Sequence, residues 1–434
     1  MTFTNIISAI GNNSSIYPLL VRDCFIEAPS KILIARKENM KESREIANDA
    51  TRERFIDEYV TSAIWLGGIP VTEAIMDKFI TKKGFNPNVN LNLFKADKTR
   101  GKKFQGLEYN IKKFGSMAQK DVQEAVADLL KVKNNKQGFE KLLTKKFAAA
   151  TIIPTVIMGF ILPPLNFALT RKLRERKGKN IQQAAQSTQT QRPTMQEFRG
   201  KSKCIGEKVT FTGSLTSTIA NLRTVDKMAI SDGGLTVGRV STSRNKEEAY
   251  MNAFRMTGSI ILNFVTPAYI AKGLDKLAKK LFKVNVDLDP LILGNEKLIE
   301  AIQNNTVEIP KSGNAKVLFD FIDSKPESFF SQSAQKMGKI TYLKSGIRDP
   351  RKFVDLKDLR KFRNEFESFV ESAKKSGSIE RFAKRAKGVK CFNILANIGI
   401  SSFLLAVALP KAQYLFNKAV TGSYLDPGLA KGNK

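Results

Sequence analysis

Three carboxylates raise the question of chemistry first. Glu73 and Asp77 stand four residues apart, one turn beyond Pro70, where an uncharged stretch ends; Asp275 holds nearly the corresponding place about two hundred residues later. Acidic groups at the edge of an apolar segment can form a proton or ion site in a membrane protein. The same placement suits the polar face of an amphipathic helix leaving an apolar environment. Glu73, Asp77 and Asp275 are therefore the candidate ion or proton site, with the amphipathic face as the competing reading.

Other chemistry is scarce. Ser333 to Lys336 reads Ser-Ala-Gln-Lys and is followed by Lys-Ser-Gly at 344–346. Serine hydrolases of the Ser-x-x-Lys type hold such boxes far apart in sequence, whereas only seven residues separate these, so the match reads as coincidence. No Gly-x-x-x-x-Gly-Lys-Ser/Thr loop is present, and "DGGLTVGR" at 232–239 has the glycines without the lysine or a strand-to-helix setting. Histidine is absent, which removes the commonest general base, the usual metal ligand and every Ser-His or Cys-His pair. Cys24, Cys204 and Cys391 form no Cys-x-x-Cys pair, so neither a disulfide framework nor a zinc site is expected and a reducing compartment is the natural setting. The expectation is a protein without enzymatic activity, cofactor or metal.

The elements that would position these residues come in two copies. At a constant offset of 197, residues 62–94 match 259–291 without a gap. Identities include Pro70 with Pro267 and Lys82-Lys83 with Lys279-Lys280; Asn88-Val89 likewise recurs as Asn285-Val286. Upstream, at an offset of 203, "RDCFIEAPSKILIAR" faces "VDKMAISDGGLTVGR"; downstream, at 246, Pro164 falls on Pro410. The expected organisation is an N-terminal segment 1–17, a first copy 18–172, a basic Gln/Ser/Thr-rich linker 173–220, a second copy 221–418 with a helical insertion at about 292–360, and a tail 419–434. Pro70, Pro164, Pro267, Pro410 and the two Asn-Val pairs are its structural markers.

Apolar residues recur every three to four positions in segments such as "AQKDVQEAVADLLKV", which predicts a mostly α-helical fold. A short β-hairpin is expected at the start of each copy, from the Asp-Gly-Gly of "AISDGGLTVGR". Each copy also holds two uncharged runs, 59–72 and 147–170 in the first, 256–271 and 391–410 in the second. A span takes roughly 20 apolar residues, so the second run of each copy qualifies on length and the first runs could instead be interfacial or re-entrant. Six of the fifteen prolines lie within these four runs. Membrane helices tolerate internal proline better than soluble ones, although a proline can also open a new soluble helix at its first turn. Basic loops on both sides of the runs leave orientation undecided. Two runs per copy would return the chain to its starting side, which predicts parallel repeats.

A formal net charge of +31 points to a polyanionic partner, anionic lipid or nucleic acid. The leading expectation is a membrane-associated structural or scaffolding protein, multi-pass or on the cytoplasmic face. It has no cleaved signal peptide, contacts anionic lipid and is open to self-association. The alternatives are a soluble basic helical protein binding nucleic acid and a small pseudo-symmetric transporter or channel. No small-molecule substrate is evident.

Overall fold

The computed structural model describes residues 3–11, 20–98, 103–185, 224–282 and 287–430. These residues are mostly α-helical. No strand occurs among them, and the single β-type contact is an isolated bridge between Tyr342 and Arg348. Six long helices dominate: α1 (21–40), α2 (44–82), α3 (136–185), α4 (224–241), α5 (246–282) and α6 (379–421). Side chains stop the turns cleanly. Ser43, Asn135, Asn245 and Ser378 cap α2, α3, α5 and α6 by accepting hydrogen bonds from the backbone N–H of Ile46, Gly138, Glu248 and Arg381. Gly422, at φ 78°, ends α6 in the left-handed conformation that glycine adopts without strain.

The prolines do not break these helices. Wide π-type turns occupy Val21–Glu27, Ile64–Gly68, Ala148–Ile152, Ile157–Ile161, Ile261–Val265 and Leu404–Ala408. Each is followed at once by one residue and then a proline: Pro29, Pro70, Pro154, Pro163, Pro267 and Pro410. The cause is steric. A proline lacks the N–H for its own bond and crowds the carbonyl four residues back, and widening the turn before it moves that carbonyl away. The N–H just before the proline accordingly bonds five residues back, from Ile69 to Ile64 O, from Leu162 to Ile157 O, from Thr266 to Ile261 O and from Leu409 to Leu404 O. Pro70 and Pro267 are both half-buried at equivalent points of α2 and α5. In α3 it is Pro163, buried like Pro410, that follows the wide turn as Pro410 does in α6, while Pro164 is exposed.

The expected hairpins are not formed. "RDCFIEAPSKILIAR" lies in α1 and "AISDGGLTVGR" in α4. The glycines of the second serve close approach instead of a turn. A Cβ on Gly238 would stand 2.7 Å from the Gly159 backbone, and one on Gly234 would stand 2.5 Å from Thr155 Cγ2. Contact between α3 and α4 at backbone distance outweighs the roughly 1 kcal/mol that each interior glycine costs a helix.

Packing runs α1 on α2, α2 on α3, α3 on α4, α4 on α5, α5 on α6, and α6 back on α1, so the six helices close into a ring. Each half of the chain supplies three of them, one more than its two uncharged runs. Residues 83–135 and 287–378, with the starts of α3 and α6, form a helical lobe at one end of the ring. Its larger core is phenylalanine-rich, with Phe319, Phe330, Phe362, Phe366 and Phe369 fully buried. The two chain segments interlock there: Phe353 packs on the core around Val89 and Leu91, and Asn110 Nδ2 donates to Pro350 O at 2.8 Å. Val89 is buried in that core, whereas Asn88 is exposed and accepts from Lys352 Nζ. Asn285 and Val286 lie outside the described residues.

At the opposite end, remote from the lobe, residues 422–430 lie across the ring. Asp426 N–H donates to Asn39 Oδ1 at 2.8 Å, Asn245 Nδ2 donates to Pro427 O at 2.9 Å, and Leu425 and Leu429 pack on Ile46 and Ala50.

Candidate functional site: a charged cavity inside the helix ring

The three sequence-derived carboxylates are tied into pairs between neighbouring helices. Asp77 on α2 meets Lys146 Nζ of α3 at 2.6 Å. Asp275 on α5 meets Lys390 Nζ of α6 at 3.4 Å and accepts from Asn393 Nδ2 at 2.9 Å. Glu73 is half-buried and also engaged. None of the three lines the cavity described next.

That cavity, of about 110 Å³, lies inside the ring. Alpha-1 contributes Asp23, Glu27 and Lys31; α2 contributes Arg54, Asp57, Glu58 and Trp65; α4 contributes Asp232 and Arg239. Arg255, Ser259 and Asn263 of α5 and Gln413 and Tyr414 of α6 also line it, with Leu235, Met256 and Leu409 as its apolar part. Spacing explains the convergence. Asp23, Glu27 and Lys31 recur every four residues, as do Arg54 and Glu58, so each set projects from one helix face.

The charges form ladders across helices. Arg22 meets Asp23 at 3.1 Å and Glu27 at 2.8 Å; Lys31 bridges Glu27 at 3.0 Å to Glu58 at 3.2 Å, and Arg54 approaches Glu58 at 3.6 Å. Separately, Asp57 receives both Arg239, at 2.5 Å, and Arg255, at 3.7 Å. Asp232, only 6% exposed, makes no ion pair among the described residues. Several donors and acceptors on the wall are buried without a hydrogen-bond partner: Trp65 Nε1, Arg239 Nε, Arg255 Nε and Asn263 Oδ1.

A second pocket of about 70 Å³ adjoins towards the remote end. There Arg244 joins Glu53 at 3.0 Å to Glu248 at 2.7 Å, and Arg174 of α3 meets Asp49 of α2 at 2.6 Å. Gly428 of the C-terminal segment rests on the Arg244 and Glu248 head groups, with no room for a side chain. Ion pairs and tail together close this end.

From sequence, Asp23, Glu27 and Lys31, and likewise Asp232 and Arg239, fall in the segments expected to open each copy with a β-hairpin. The missed signal is on the other face of the same helices, where Phe25, Leu33, Phe55 and Val237 are among the large apolar residues left exposed. Two of the helices, Lys136–Lys177 and Ile379–Thr421, are long and apolar enough to cross a membrane, and in each only 33% of the apolar window is buried. No family model, curated protein or solved structure matched this chain when it was compared with them.

Proposed function

We propose that this protein is a membrane-embedded carrier of a small charged solute, with the charged cavity as its binding chamber. The observation that carries the reading is the inverted polarity of the ring: apolar side chains outside, ionised ones inside. A scaffold attached to anionic lipid, the leading expectation from sequence, has no use for such a chamber. A soluble nucleic-acid-binding protein would leave the apolar belt facing water, against the usual limit on exposed apolar patches. The basic surface fits a lobe lying against anionic headgroups.

The duplication enters this reading as its framework. Wide turns at 64–68 and 261–265 stand 197 residues apart, the offset of the repeat, and each precedes its proline identically. Contacts between halves are exchanged in kind, α4 on α3 and α1 on α6. Both excursions, 83–135 and 287–378, meet in the single lobe, which supports parallel copies about an axis through the ring.

Alpha-3 runs away from the lobe, whereas α4 begins at the lobe end and runs to the remote end.

Carbonate-washed membranes should retain the protein. With Cys24, Cys204 and Cys391 replaced by serine, Ala419→Cys should be labelled from one face of sealed vesicles and Ser116→Cys from the other. Release by carbonate, or Ser116→Cys and Ala419→Cys reacting from the same face, refutes membrane crossing by the ring.

A further inference from the structure

We propose that Asp232 is a proton-binding site inside the cavity, so that the ion moving with the solute is a proton. The coupling rests on the carrier reading; the proton site itself does not.

The argument is one of selection among the acids of the wall. Five carboxylates line the cavity: Asp23, Glu27, Asp57, Glu58 and Asp232. Four of them are held by cations. Arg22 holds Asp23 and Glu27, Lys31 holds Glu27 and Glu58, and Asp57 forms a knot with Arg239 and Arg255. Asp232 is more than nine-tenths buried, yet its side chain makes neither an ion pair nor a hydrogen bond among the described residues. A carboxyl that bonds to no neighbour does not fasten α4 to the ring.

Its surroundings offer no substitute partner. The charges that act on it are Asp23, Arg22 and Lys31 of α1, across the cavity, and Arg239 of its own helix. All three cations are already committed to other acids, and Asp23 opposes a second negative charge beside it. On the α2 side Arg54 faces Glu58, and on the α5 side Arg255 faces Asp57. The stretch of α3 packed on α4, 148–161, carries no charge. A carboxylate removed from water without a partner is neutralised by taking up a proton, and an intramembrane acid of this kind is the usual element of a proton relay.

Water supplies the route. The Asp232 carboxylate opens onto the cavity, unlike the sealed Nε atoms of Arg239 and Arg255. The volume of about 110 Å³ holds a few water molecules, each of about 30 Å³ in the liquid. Uptake forms an O–H bond between an Asp232 oxygen and a proton from that water, and release returns the same proton to it.

Infrared difference spectra of the full-length protein in detergent, neutral against alkaline buffer, test this. Wild type should show the C=O stretch of a buried neutral carboxyl, lost in alkali. Asp232→Asn copies the neutral carboxyl in size and charge, so it should fold and melt as wild type at neutral pH while lacking the Asp232 component of that band. Trp65, the only tryptophan in the chain, lines the same cavity. Its emission should change with pH in wild type and in Asp77→Asn, which lies off the cavity, and the change should vanish in Asp232→Asn. A wild-type spectrum without the band, an Asp232→Asn spectrum identical to wild type, or an Asp232→Asn that fails to fold at neutral pH overturns the proposal. A protein that shows the Asp232 band but is released by carbonate keeps the proton site and loses the carrier, and a membrane-retained protein without the band does the reverse.

Discussion

The ring and the lobe are both helical, built by one chain from the same kinds of residue, yet they are opposites in polarity. In the lobe phenylalanines fill the interior, and of its large apolar side chains only Leu130 and Leu291 are exposed. In the ring Phe160, Tyr269, Phe392 and Phe403 face outward while Asp57, Arg239 and Glu53 are buried or nearly so. Burying apolar area is worth about 25 cal/mol per Å² only if water is what the area leaves. The lobe obeys that rule; the ring, on the membrane-embedded reading proposed above, does not, and the two should then respond oppositely to the same type of substitution.

The sharpest contrast comes from truncating what each region buries. Phe366→Ala in the lobe should cost about 3–5 kcal/mol through the cavity it leaves, read as a lowered melting temperature of the purified protein. In the ring, Arg239→Met should cost a similar 3–5 kcal/mol for the opposite reason, since it strands Asp57 with less compensation. Adding Asp57→Leu and Arg255→Met removes the whole knot, so recovered stability would show that the cost was electrostatic, and a triple variant as unstable as Arg239→Met alone would refute this.

Changing the outward faces separates the regions further. Phe403→Lys at the ring exterior should cost about 2.5–3.5 kcal/mol of insertion and reduce the carbonate-resistant fraction. Leu130→Lys on the lobe should stay within about 0.5 kcal/mol of wild type. Equal tolerance at both positions would erase the distinction.

Gly238→Ala tests the α3–α4 contact and should cost about 1–3 kcal/mol by forcing the helices apart. Gly233→Ala, in open space on the same helix, should be neutral or stabilising.

The smallest effect concerns acid. Burial of Asp323 in the lobe would raise its pKa, but Arg348 at 2.7 Å and Lys113 at 2.6 Å outweigh burial and hold it below the ordinary carboxylate range. A depressed folded pKa contributes stability that is complete above the unfolded value, near roughly 4, and is lost as pH falls through the folded one. Asp323→Asn should therefore flatten the stability profile below about pH 4, as followed by lobe melting against pH. An unchanged profile would assign that acid sensitivity to other groups.

Helix content was legible from sequence because periodicity is local. The positions of α2, α3, α5 and α6 followed from the uncharged runs and their flanks, whereas α1 and α4 stand where hairpins were expected. The sense of Asp-Gly-Gly at 232–234 was not legible, since a turn and a close helix crossing ask for the same residues and only the partner, Thr155 and Gly159, distinguishes them. Nor was the cavity. Asp23, Glu27 and Lys31 make an amphipathic face in either setting, and nothing within α1 says whether that face meets water or Glu58 of another helix. Glu73, Asp77 and Asp275 drew notice because they border uncharged runs, whereas Asp23, Glu27, Asp232 and Arg239 lie in segments expected to be hairpins.

The wide turns before the prolines have a mechanical consequence. A helix that carries one trades regular bonding for compliance at a fixed level, able to bend or rotate there without melting. Five of the six long helices, α4 being the exception, contain at least one among the described residues. The ring is thus articulated around most of its circumference, and slow amide exchange should be interrupted at Ile69, Leu162, Thr266 and Leu409 while persisting in the turns on either side.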